Sequence, residues 1–547
     1  MAVKTALREI VFDAICQLGI AAEDVPPFDI DVSRVEEHGD FTTNVAFLIA
    51  PGLGLTPREA ASRIATFATG RNPVARAEAA GAGFVNLFLD RSWLSELVKT
   101  IDREGEGYGA WDFGRGTTVL LEYVSSNPTG PLTVGHGRQA VLGESLACIL
   151  ERCGYDVTRE YYFNNMGAQM RLLAESVYCR YRQVMGEEAV FPEGGYEGEY
   201  IVDIAREIRG QRGGHLTDGD LELFKRDAEA AIFRNIRSTL ARLGIVFDVF
   251  YNENSLHDSG KLTEVLNELA GKDLTYEKDG ALWFKATDLG EENDRVVVKG
   301  TGEPTYLLPD IAYHREKYNR GFSTMIDVLG ADHHGQVPYV LAGIRALDLD
   351  AERVKVLLHQ FVTLVSEGKR IRMSTRKAAF VTLDELIDEV GVDAVKFFFL
   401  LRKASAHLDF DIELAKRESD ENPVYYVQYA HARISSILQH AGRVGVEVVP
   451  GSSADLSLLT EPEETILIKW MARFPDIVRR SAETLEPHRI PFYLMDLAAH
   501  FHNYYHRHRV VTDEALLTQA RVVLVKCVAQ VLRNGLSLIG VSAPESM

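Results

Sequence analysis

The sequence predicts a three-part α/β protein: a small α/β unit over residues 1–110, a doubly wound parallel sheet over residues 111–415, and an all-helical bundle over residues 416–547. The length of 547 residues fits about three domains at roughly 100 to 200 residues each. From residue 117, strand-like and helix-like segments alternate, as in a parallel sheet covered by helices. After about residue 420, the apolar residues follow the helical period, which favours a bundle.

The first unit begins with an amphipathic helix, because Ala6, Ile10, Ala14 and Leu18 recur at helical spacing. In TPREAASRIATFA, a threonine precedes a proline, as is typical of a helix start. The segment GAGFVNLFLD has the pattern of a strand that closes the unit. A stretch rich in glycine and aromatic residues, 105–116, is predicted to link this unit to the next.

The middle part opens on TTVLLEYV, a nearly continuous apolar run that is typical of a buried parallel strand. The loop SSNPTGPLTVGHG then leads to a helix predicted over residues 139–152, which is followed by the strand DVTREYYF. Further strands are predicted at ALWFKA, RVVVKG, TYLL, TMIDVLG and VKVLLHQFV. A long helix is predicted near residues 221–243, and an insertion into the doubly wound sheet at about residues 185–255.

Composition excludes several classes of protein. With 59 basic and 79 acidic residues the net charge is −20, which disfavours nonspecific binding to nucleic acid, and DNA is not an expected partner. We find no apolar run near the roughly 20 residues that cross a bilayer, so a cytoplasmic protein without a membrane partner is expected. Five scattered cysteines without a C-x-x-C pair argue against a disulfide framework and against a structural metal.

The strongest chemical signal is the loop that follows the first strand of the middle part. Gly135, His136 and Gly137 begin a helix directly after a Pro/Gly-rich turn. Backbone N–H groups and the positive end of a helix can face an anion there, most often a phosphate. A plain strand-loop-helix connection is the alternative.

A second signal lies far downstream, in a polar loop at about residues 369–380. Its cationic residues surround a Met-Ser-Thr core, and they are Lys369, Arg370, Arg372, Arg376 and Lys377. Such a loop can neutralise phosphates in a transition state that spreads negative charge. A solvated basic loop is the alternative.

Taken together, SNPTGPLTVGHG and RMSTRK resemble the HIGH and KMSKS signatures of class I aminoacyl-tRNA synthetases. Four other segments, GDFTTNVAF, PTYLLPDIAYHREK, GADHHGQVPY and YYVQYAHARISSIL, are similar to those of arginyl-tRNA synthetases of bacterial type. The resemblance covers essentially the whole chain in the same order. It implies a Rossmann-like catalytic domain, an N-terminal domain that touches the outer corner of tRNA, and a helical anticodon-binding domain.

The resemblance also implies site residues. Those assigned to catalysis are Thr133, Gly135, His136, Lys369, Met373, Ser374 and Lys377. Those assigned to ATP, which is used with Mg²⁺, are Pro131, Gly135, His136, Asp332, His333 and Met373. Those assigned to arginine are Glu122, Asn127, Tyr306, Asp310 and Gln336. A guanidinium is a planar fork of donors, so carboxylates and an amide oxygen suit it, while lysine cannot fill the fork.

Local sequence leaves other interpretations of these residues open. Asp310 follows a proline and could cap the helix IAYHREKY, Asp332 could cap a helix as well, and Glu122 could be a surface carboxylate at a strand end. The chain also departs from the signatures. Thr133 replaces the first histidine, and Arg372 and Thr375 stand where lysines are common.

Those departures leave open which cation neutralises the pyrophosphate. Lys369 and Lys377 are the nearest candidates, and Lys377 is preferred because it lies just after the Met-Ser-Thr core. They also motivate one rival, a paralogue that binds tRNA but no longer forms an adenylate. A different class I synthetase is the second rival, disfavoured by the missing C-x-x-C spacing and by the pair Tyr306 and Asp310.

The helical part carries the predicted RNA contacts. By the resemblance, the residues that face tRNA are Tyr426, Tyr429, Arg433, Tyr504 and Arg507, with Tyr505 and Arg509 close by in sequence. Aromatic rings stack on unpaired bases and guanidinium groups bind phosphates in such interfaces. The alternative is that the tyrosines form the core of the bundle. The predicted partners are thus tRNA(Arg), L-arginine and ATP, and the chain is expected to be a monomer.

Overall fold

The computed structural model describes residues 2–33, 38–370 and 382–547. Its N-terminal unit contains a four-stranded antiparallel sheet in the order β1-β2-β4-β3. The elements of this unit are α1 (Ala2–Gln17), β1 (Asp31–Val32), β2 (Phe41–Thr43), α2 (Val45–Leu53), α3 (Pro57–Ala68), β3 (Val74–Ala80), β4 (Phe84–Leu89) and α4 (Arg91–Glu104). The predicted start of α3 is confirmed, because the Glu59 N–H donates to the Thr56 hydroxyl at 3.3 Å and Pro57 is the first helical residue.

The middle part is built around a five-stranded parallel sheet. In chain order its elements are β5 (Thr118–Glu122), α5 (Val134–Arg152), β6 (Asp156–Phe163), α6 (Gly167–Val184), α7 (Glu199–Arg212), α8 (Leu221–Arg242), β7 (Val249–Asn252), α9 (Asn254–Asp258), α10 (Lys261–Gly271), β8 (Thr275–Lys278), β9 (Ala281–Phe284), β10 (Arg295–Val298), α11 (Leu307–Asn319), β11 (Thr324–Gly330), α12 (Val337–Ala346), β12 (Val354–His359), β13 (Val362–Ser366), β14 (Lys369–Arg370), α13 (Leu383–Val390), α14 (Val392–Phe399), β15 (Leu408–Asp411) and α15 (Ile412–Ala415).

The parallel sheet has the order β12-β11-β5-β6-β7, which confirms the predicted doubly wound topology. From β5 the chain builds outward through β6 and β7 on one side, and then adds β11 and β12 on the other. The strand order therefore reverses between β5 and β11. In open sheets of this kind, the crevice beyond the carboxyl ends of those two strands is where ligands bind.

Three sequence predictions need correction. The TYLL segment is not a strand, because α11 begins at Leu307 and buries Leu307, Leu308 and Ile311 at helical spacing. ALWFKA and RVVVKG do form strands, but in a separate antiparallel sheet of β8, β9 and β10. Strand β7 falls within the predicted insertion range, yet it pairs with β6 in the parallel sheet. A short apolar run fits a strand and a buried helix equally well.

The C-terminal part is helical, and its long helices are α16 (Pro423–Arg443), α17 (Pro462–Thr484), α18 (Arg489–Arg507) and α19 (Ala515–Leu538). Among the described helices, α19 alone is long and apolar enough to cross a membrane, and 67% of its most apolar window is buried inside the protein. The predicted linker docks on α17: the Tyr108 hydroxyl donates to the Met471 carbonyl at 2.9 Å, and the Trp111 indole donates to the Pro475 carbonyl at 2.7 Å.

Candidate active site

The HIGH-like segment forms the start of α5, at the carboxyl end of β5. Thr133 is the N-cap residue, and its backbone N–H donates to Nδ1 of His136 at 3.1 Å. Because an N–H can only donate, Nδ1 is the acceptor, and the neutral ring carries its proton on Nε2. This contact fixes both the tautomer and the orientation of His136.

Burial makes His136 a neutral donor rather than a cation. Loss of solvent and, to a smaller extent, the neighbouring His359 lower the pKa of His136 to about 4. The ring is therefore uncharged at neutral pH, and its Nε2–H can donate to an oxygen atom of a ligand. His136 can orient a phosphate or ribose group, but it does not supply charge.

The two glycines beside His136 differ in surroundings. A Cβ atom added at Gly135 would meet only the Thr133 hydroxyl, at 3.7 Å, so this side of the helix start is open to an approaching ligand. A Cβ atom added at Gly137 would lie 2.5 Å from Leu383 Cδ1 and 3.1 Å from the Phe399 ring. Gly135 thus permits approach from outside, and Gly137 permits close packing of α5 against α13 and α14.

The KMSKS-like segment is described only at its start, because residues 371–381, which include Met373, Ser374 and Lys377, lie outside the described residues. At that start, exposed Lys369 pairs with Ser366 in the β13–β14 hairpin. Just beyond the segment, Thr382 forms an isolated antiparallel bridge with Thr133, and the Leu383 N–H donates to the Leu132 carbonyl at 2.8 Å. The residues that follow the second signature are therefore in direct contact with the first.

Arg138 strengthens the connection between these two regions. It is fully buried on α5, and its guanidinium donates to the carbonyls of Gln360 at 2.6 Å, Lys403 at 3.0 Å and Ala406 at 3.0 Å. The Gln360 carbonyl lies between β12 and β13. The strand that leads to the second signature is thus held directly to the helix that carries the first.

Asp332 and His333 occupy a short 3₁₀ turn, Ala331–Gly335, that directly follows β11. Both side chains are exposed at the carboxyl edge of the parallel sheet. Strand β11 is the neighbour of β5, so this turn and the HIGH-like segment lie at the same edge. The two residues are therefore on the side of the sheet where the predicted nucleotide site requires them.

Asp310 and Gln336, predicted to meet the same substrate group, are in direct contact. The Gln336 amide nitrogen donates to the Asp310 carboxylate although 26 residues separate them. Asp310 is the fourth residue of α11, so its interpretation as a helix cap is wrong. Burial, with smaller contributions from Glu122 and Glu253, raises the pKa of Asp310 to about 7 against the opposing effects of His314 and Lys317. Tyr306, directly before α11, is 77% exposed.

Glu122 is not a surface carboxylate. It is buried at the end of β5, where it accepts from the Ser125 hydroxyl at 2.9 Å and from Lys317 Nζ at 2.6 Å. Val124 and Ser125, directly after the strand, have φ angles of 69° and 40°. Positive φ is unfavourable for a branched residue such as valine, and such strain is typical of functional loops. The turn directs the following residues, which include Asn127, back across the sheet edge.

Asn127 belongs to a polar network that includes a carboxylate missed by the sequence analysis. Its Oδ1 accepts from the Asn164 N–H at 3.0 Å, and the Asn164 amide donates to Glu253 at 2.7 Å. Buried Glu253 also accepts from the Tyr162 hydroxyl at 2.6 Å. Glu253 directly follows β7, so a carboxylate after a parallel strand was the signal that could have identified it. Acidic residues at the end of β5, after β7 and on α11 thus lie near one another at this edge of the sheet.

Three stretches of the chain match known family models. Residues 2–89 match the model of the arginyl-tRNA synthetase N-terminal domain. Residues 106–399 match the catalytic domain of class I tRNA synthetases (R), and residues 427–547 match the DALR anticodon binding domain.

Individual relatives cover nearly the whole chain. The arginine–tRNA ligase of Desulfotalea psychrophila is 49% identical over 95% of each chain. The chain belongs to the arginyl-tRNA synthetase family. The arginine–tRNA ligase of Salinibacter ruber is 47% identical over 96% of this chain and 98% of its own. The arginyl-tRNA synthetase structure from Thermus thermophilus superimposes with a TM-score of 0.77 over 100% of both chains at 23% identity, which shows the shared fold.

The DALR anticodon binding domain presents an aromatic and cationic face on α16 and α18. The Arg433 guanidinium lies 4.4 Å from the Tyr429 ring centroid and 5.1 Å from that of Tyr505, and it donates to the Tyr429 hydroxyl at 2.8 Å. Tyr426 packs on His502, with ring centroids 4.7 Å apart. This arrangement keeps rings and a guanidinium together at a partly exposed surface, as base stacking requires.

Tyr504 needs correction as a predicted RNA contact. It is fully buried, whereas Tyr505 is 38% exposed. Adjacent helical residues point about 100° apart, so only one of the two rings can face outward on this helix. Tyr504 therefore belongs to the core of the bundle and has no free ring face for a base.

Arg507 is exposed but already engaged within the domain. It pairs with Glu463 at 2.6 Å, and His508 contacts the same carboxylate at 3.0 Å. Glu461, Glu463 and His508 are the one group of potential metal ligands found together among the described residues. These ion pairs already account for the Glu463 charge, so the group gives no reason to assign a metal.

Proposed function

We propose that this chain is an arginine–tRNA ligase. It activates L-arginine with ATP to arginyl-adenylate and pyrophosphate, and it transfers the arginyl group to the 3′-terminal ribose of tRNA(Arg) with release of AMP. The observation that carries the proposal is the combination of two neighbouring acidic residues, Asp310 and Glu122, with an open helix start at Gly135 after the carboxyl end of β5.

The pocket suits a guanidinium better than an ammonium group. The Asp310 carboxylate can form a bidentate contact, and the Gln336 amide donates a hydrogen bond to one of its oxygens. A planar guanidinium can bind a carboxylate through two parallel N–H bonds, whereas an ammonium group acts as a point charge. Exposed Tyr306 is free to pack against the bound side chain. Arginine is therefore the proposed amino acid substrate.

The first reaction step needs positioning and charge neutralisation rather than proton transfer. The arginine carboxylate is ionised at neutral pH, so it can attack the α-phosphorus of ATP without a general base. We assign the Nε2–H of His136 and the backbone N–H groups at the start of α5 to the ATP phosphates or ribose. Mg²⁺ enters with ATP as part of the substrate. Lys369 and Lys377 are the candidate cations for the departing pyrophosphate.

Arginine-dependent exchange of pyrophosphate into ATP, measured with and without tRNA(Arg), tests the proposal. The expected result is exchange with arginine and no exchange with lysine. The family resemblance implies that exchange requires tRNA. Binding of tRNA without exchange under either condition would instead favour the paralogue that no longer forms an adenylate. Exchange with a different amino acid would favour another class I synthetase.

We further propose that the three parts, 1–110, 111–415 and 416–547, divide the work as the resemblance implies. The first contacts the outer corner of tRNA, the second performs both chemical steps, and the third binds the anticodon loop. The enzyme is proposed to act in the cytoplasm as a monomer. Sedimentation at micromolar concentration checks the monomer, because a dimer would double the mass of 61.0 kDa.

A further inference from the structure

Lys317 is a fully buried cation to which neither the sequence signatures nor the proposed mechanism assigns a role. It lies on α11, the helix that also carries Asp310 and His314. Asp310, His314 and Lys317 are spaced by four and three residues, so they share one face of the helix. That face packs on β5 and β11, the two strands beside the crevice.

The Lys317 ammonium group lies between two carboxylates on those strands. It is 2.6 Å from Glu122 and 2.6 Å from Asp327, and these two residues are direct partners in the parallel pairing of β5 with β11. Two buried carboxylates side by side repel each other strongly unless a cation separates them. Both carboxylates, in turn, raise the pKa of Lys317.

Asp327 continues the network toward Asp310. Its second oxygen contacts His314 Nε2 at 2.7 Å, and His314 Nδ1 contacts the Asp310 backbone carbonyl at 2.8 Å. Lys317 and His314 both hold the pKa of Asp327 below its usual value against the effect of burial. A continuous buried chain therefore joins Glu122, at one side of the pocket, to the helix turn that carries Asp310, at the other.

The two pocket carboxylates consequently differ in their partners. Both oxygens of Glu122 already accept from donors inside the protein, Ser125 and Lys317. Among the described residues, Asp310 accepts a side-chain hydrogen bond from the neutral Gln336 amide. Glu122 has a fixed orientation and is paired with a cation, whereas no cation in the part of the chain that the structure describes is bonded to Asp310.

We propose that Lys317 is a positioning residue of the arginine site: it fixes Glu122 in an ion pair, so that Asp310 is the carboxylate left to pair with the substrate guanidinium. This inference rests on the proposed function and assigns distinct tasks to two acidic residues of one pocket. Glu122 acts as an oriented hydrogen-bond acceptor. Asp310 acts as the counter-ion.

Charged and titratable groups reach this region from every element packed around it. They are Glu122 on β5, Glu160 and Tyr162 on β6, Glu253 after β7, Tyr313 and His314 on α11, Arg320 directly after α11, and Asp327 on β11. Glu160 is paired with Arg320 at 2.6 Å. Asp310 is influenced by Glu122 and Glu253, which raise its pKa, and by His314 and Lys317, which lower it. Loss of the Lys317 charge therefore favours protonated Asp310.

The test compares Lys317→Gln with Lys317→Arg in the full-length chain. Lys317→Gln should raise the KM for arginine in tRNA charging by about tenfold at pH 7, with the KM for ATP unchanged. The pH at which kcat/KM for arginine is half-maximal should move upward. Lys317→Arg keeps the charge and should restore that pH. Lys261→Gln is the matched control, because it removes a 2.6 Å ion pair to Glu316 on the same helix but outside the pocket.

Folded Lys317→Gln with an unchanged arginine KM and an unchanged pH profile would overturn the inference. If this variant does not fold, Lys317→Gln combined with Asp327→Asn keeps the net buried charge. That double variant should still bind arginine weakly, because Glu122 has lost its donor, and a normal KM would again reject the inference. If the unaltered chain charges no tRNA with arginine, the proposed function itself fails, and the two failures are thereby distinguished.

Discussion

Thr133 and Thr382 form an antiparallel bridge between two segments that are almost 250 residues apart in sequence. One is the N-cap residue of α5, and the other is the N-cap residue of α13. The Leu383 N–H bond to the Leu132 carbonyl reinforces the contact. The starts of two helices therefore meet at the crevice, and the residues that precede the second helix include the KMSKS-like core.

Gly137 is expected to be essential for this junction. Gly137→Ala would place a methyl group 2.5 Å from Leu383 Cδ1, and overpacking of this kind destabilises proteins by about 1 to 3 kcal/mol. Urea denaturation should show this loss. Gly210→Ala is the matched control, since no atom lies within 4 Å of its added methyl group on α7. The control should be neutral or stabilising, and equal effects of the two substitutions would contradict the account.

Asp310→Asn should selectively weaken arginine binding. The substitution keeps shape and removes charge, and one charge-assisted hydrogen bond is worth roughly 1.5 to 3 kcal/mol, so the arginine KM should rise at least about tenfold. Steady-state charging assays at varied arginine and at varied ATP check this. The ATP KM should not change. Glu352→Gln alters a side chain that is 92% exposed and should have no effect. An unchanged arginine KM would reduce Asp310 to a structural role.

The affinity for arginine should increase with pH around neutrality. The pKa of Asp310 is raised to about 7, mainly by burial, so below that pH the carboxyl group is protonated and neutral. A neutral carboxyl group cannot pair with a guanidinium, and binding should therefore release a proton. Calorimetry in buffers of different ionisation enthalpy measures the released proton. Asp310→Asn should abolish the release, and a proton count of zero in the unaltered chain at pH 7 would contradict the prediction.

His136 should act as a donor and not as a titrating group. Burial lowers its pKa to about 4, so kcat/KM for ATP should not change through His136 between pH 6 and 8. His136→Ala should lower kcat/KM for ATP by roughly 10- to 100-fold through loss of one hydrogen bond to a charged ligand. His136→Gln offers an amide N–H and should lower kcat/KM for ATP less than His136→Ala does. If the two substitutions lower it equally, donation from Nε2 is not the role of His136.

Tyr504 and Tyr505 provide a matched pair on α18. Tyr505→Ala should weaken tRNA binding by about 1 to 3 kcal/mol, as for loss of one stacked base, without loss of stability. Tyr504→Ala should instead destabilise the bundle by about 3 to 5 kcal/mol, because a fully buried ring is removed. Filter binding of tRNA and thermal denaturation separate the two effects. Weaker tRNA binding by a stable Tyr504→Ala variant would contradict the assignment of the two faces.

The sequence was sufficient for the fold class, with its parallel sheet and helical C-terminal part, and for the residues next to clear local signals. The parallel strand TTVLLEYV and the helix start at Gly135 were predictable because apolar period and glycine placement are local properties. The TYLL segment was not, since its four residues fit a strand or a buried helix until the packing of Ile311 decides between them. The contacts among Glu122, Lys317 and Asp327 depend on the order of the strands in the sheet, which the hydrophobic periodicity of the sequence does not specify.

The same limit applies to the anticodon-side residues. Tyr504 and Tyr505 are adjacent in the same helical pattern. Which of the two faces the bundle core cannot be determined without the positions of α16 and α19. Glu253 was missed because it follows a strand of only four residues, Val249–Asn252, inside a range assigned to an insertion. In each case the missing information was tertiary.

The buried pairing of Glu122, Asp327 and Lys317 also limits how the amino acid preference of this enzyme can be redesigned. Exchanging Lys317 alone for a neutral residue would leave two carboxylates uncompensated in the interior, which costs about 3 to 5 kcal/mol, whereas exchanging either carboxylate alone leaves one balanced ion pair. A pocket for a neutral side chain would consequently have to lose a carboxylate before the lysine, or together with it. Libraries that randomise the three positions together should yield folded variants that are lost when Lys317 is exchanged first.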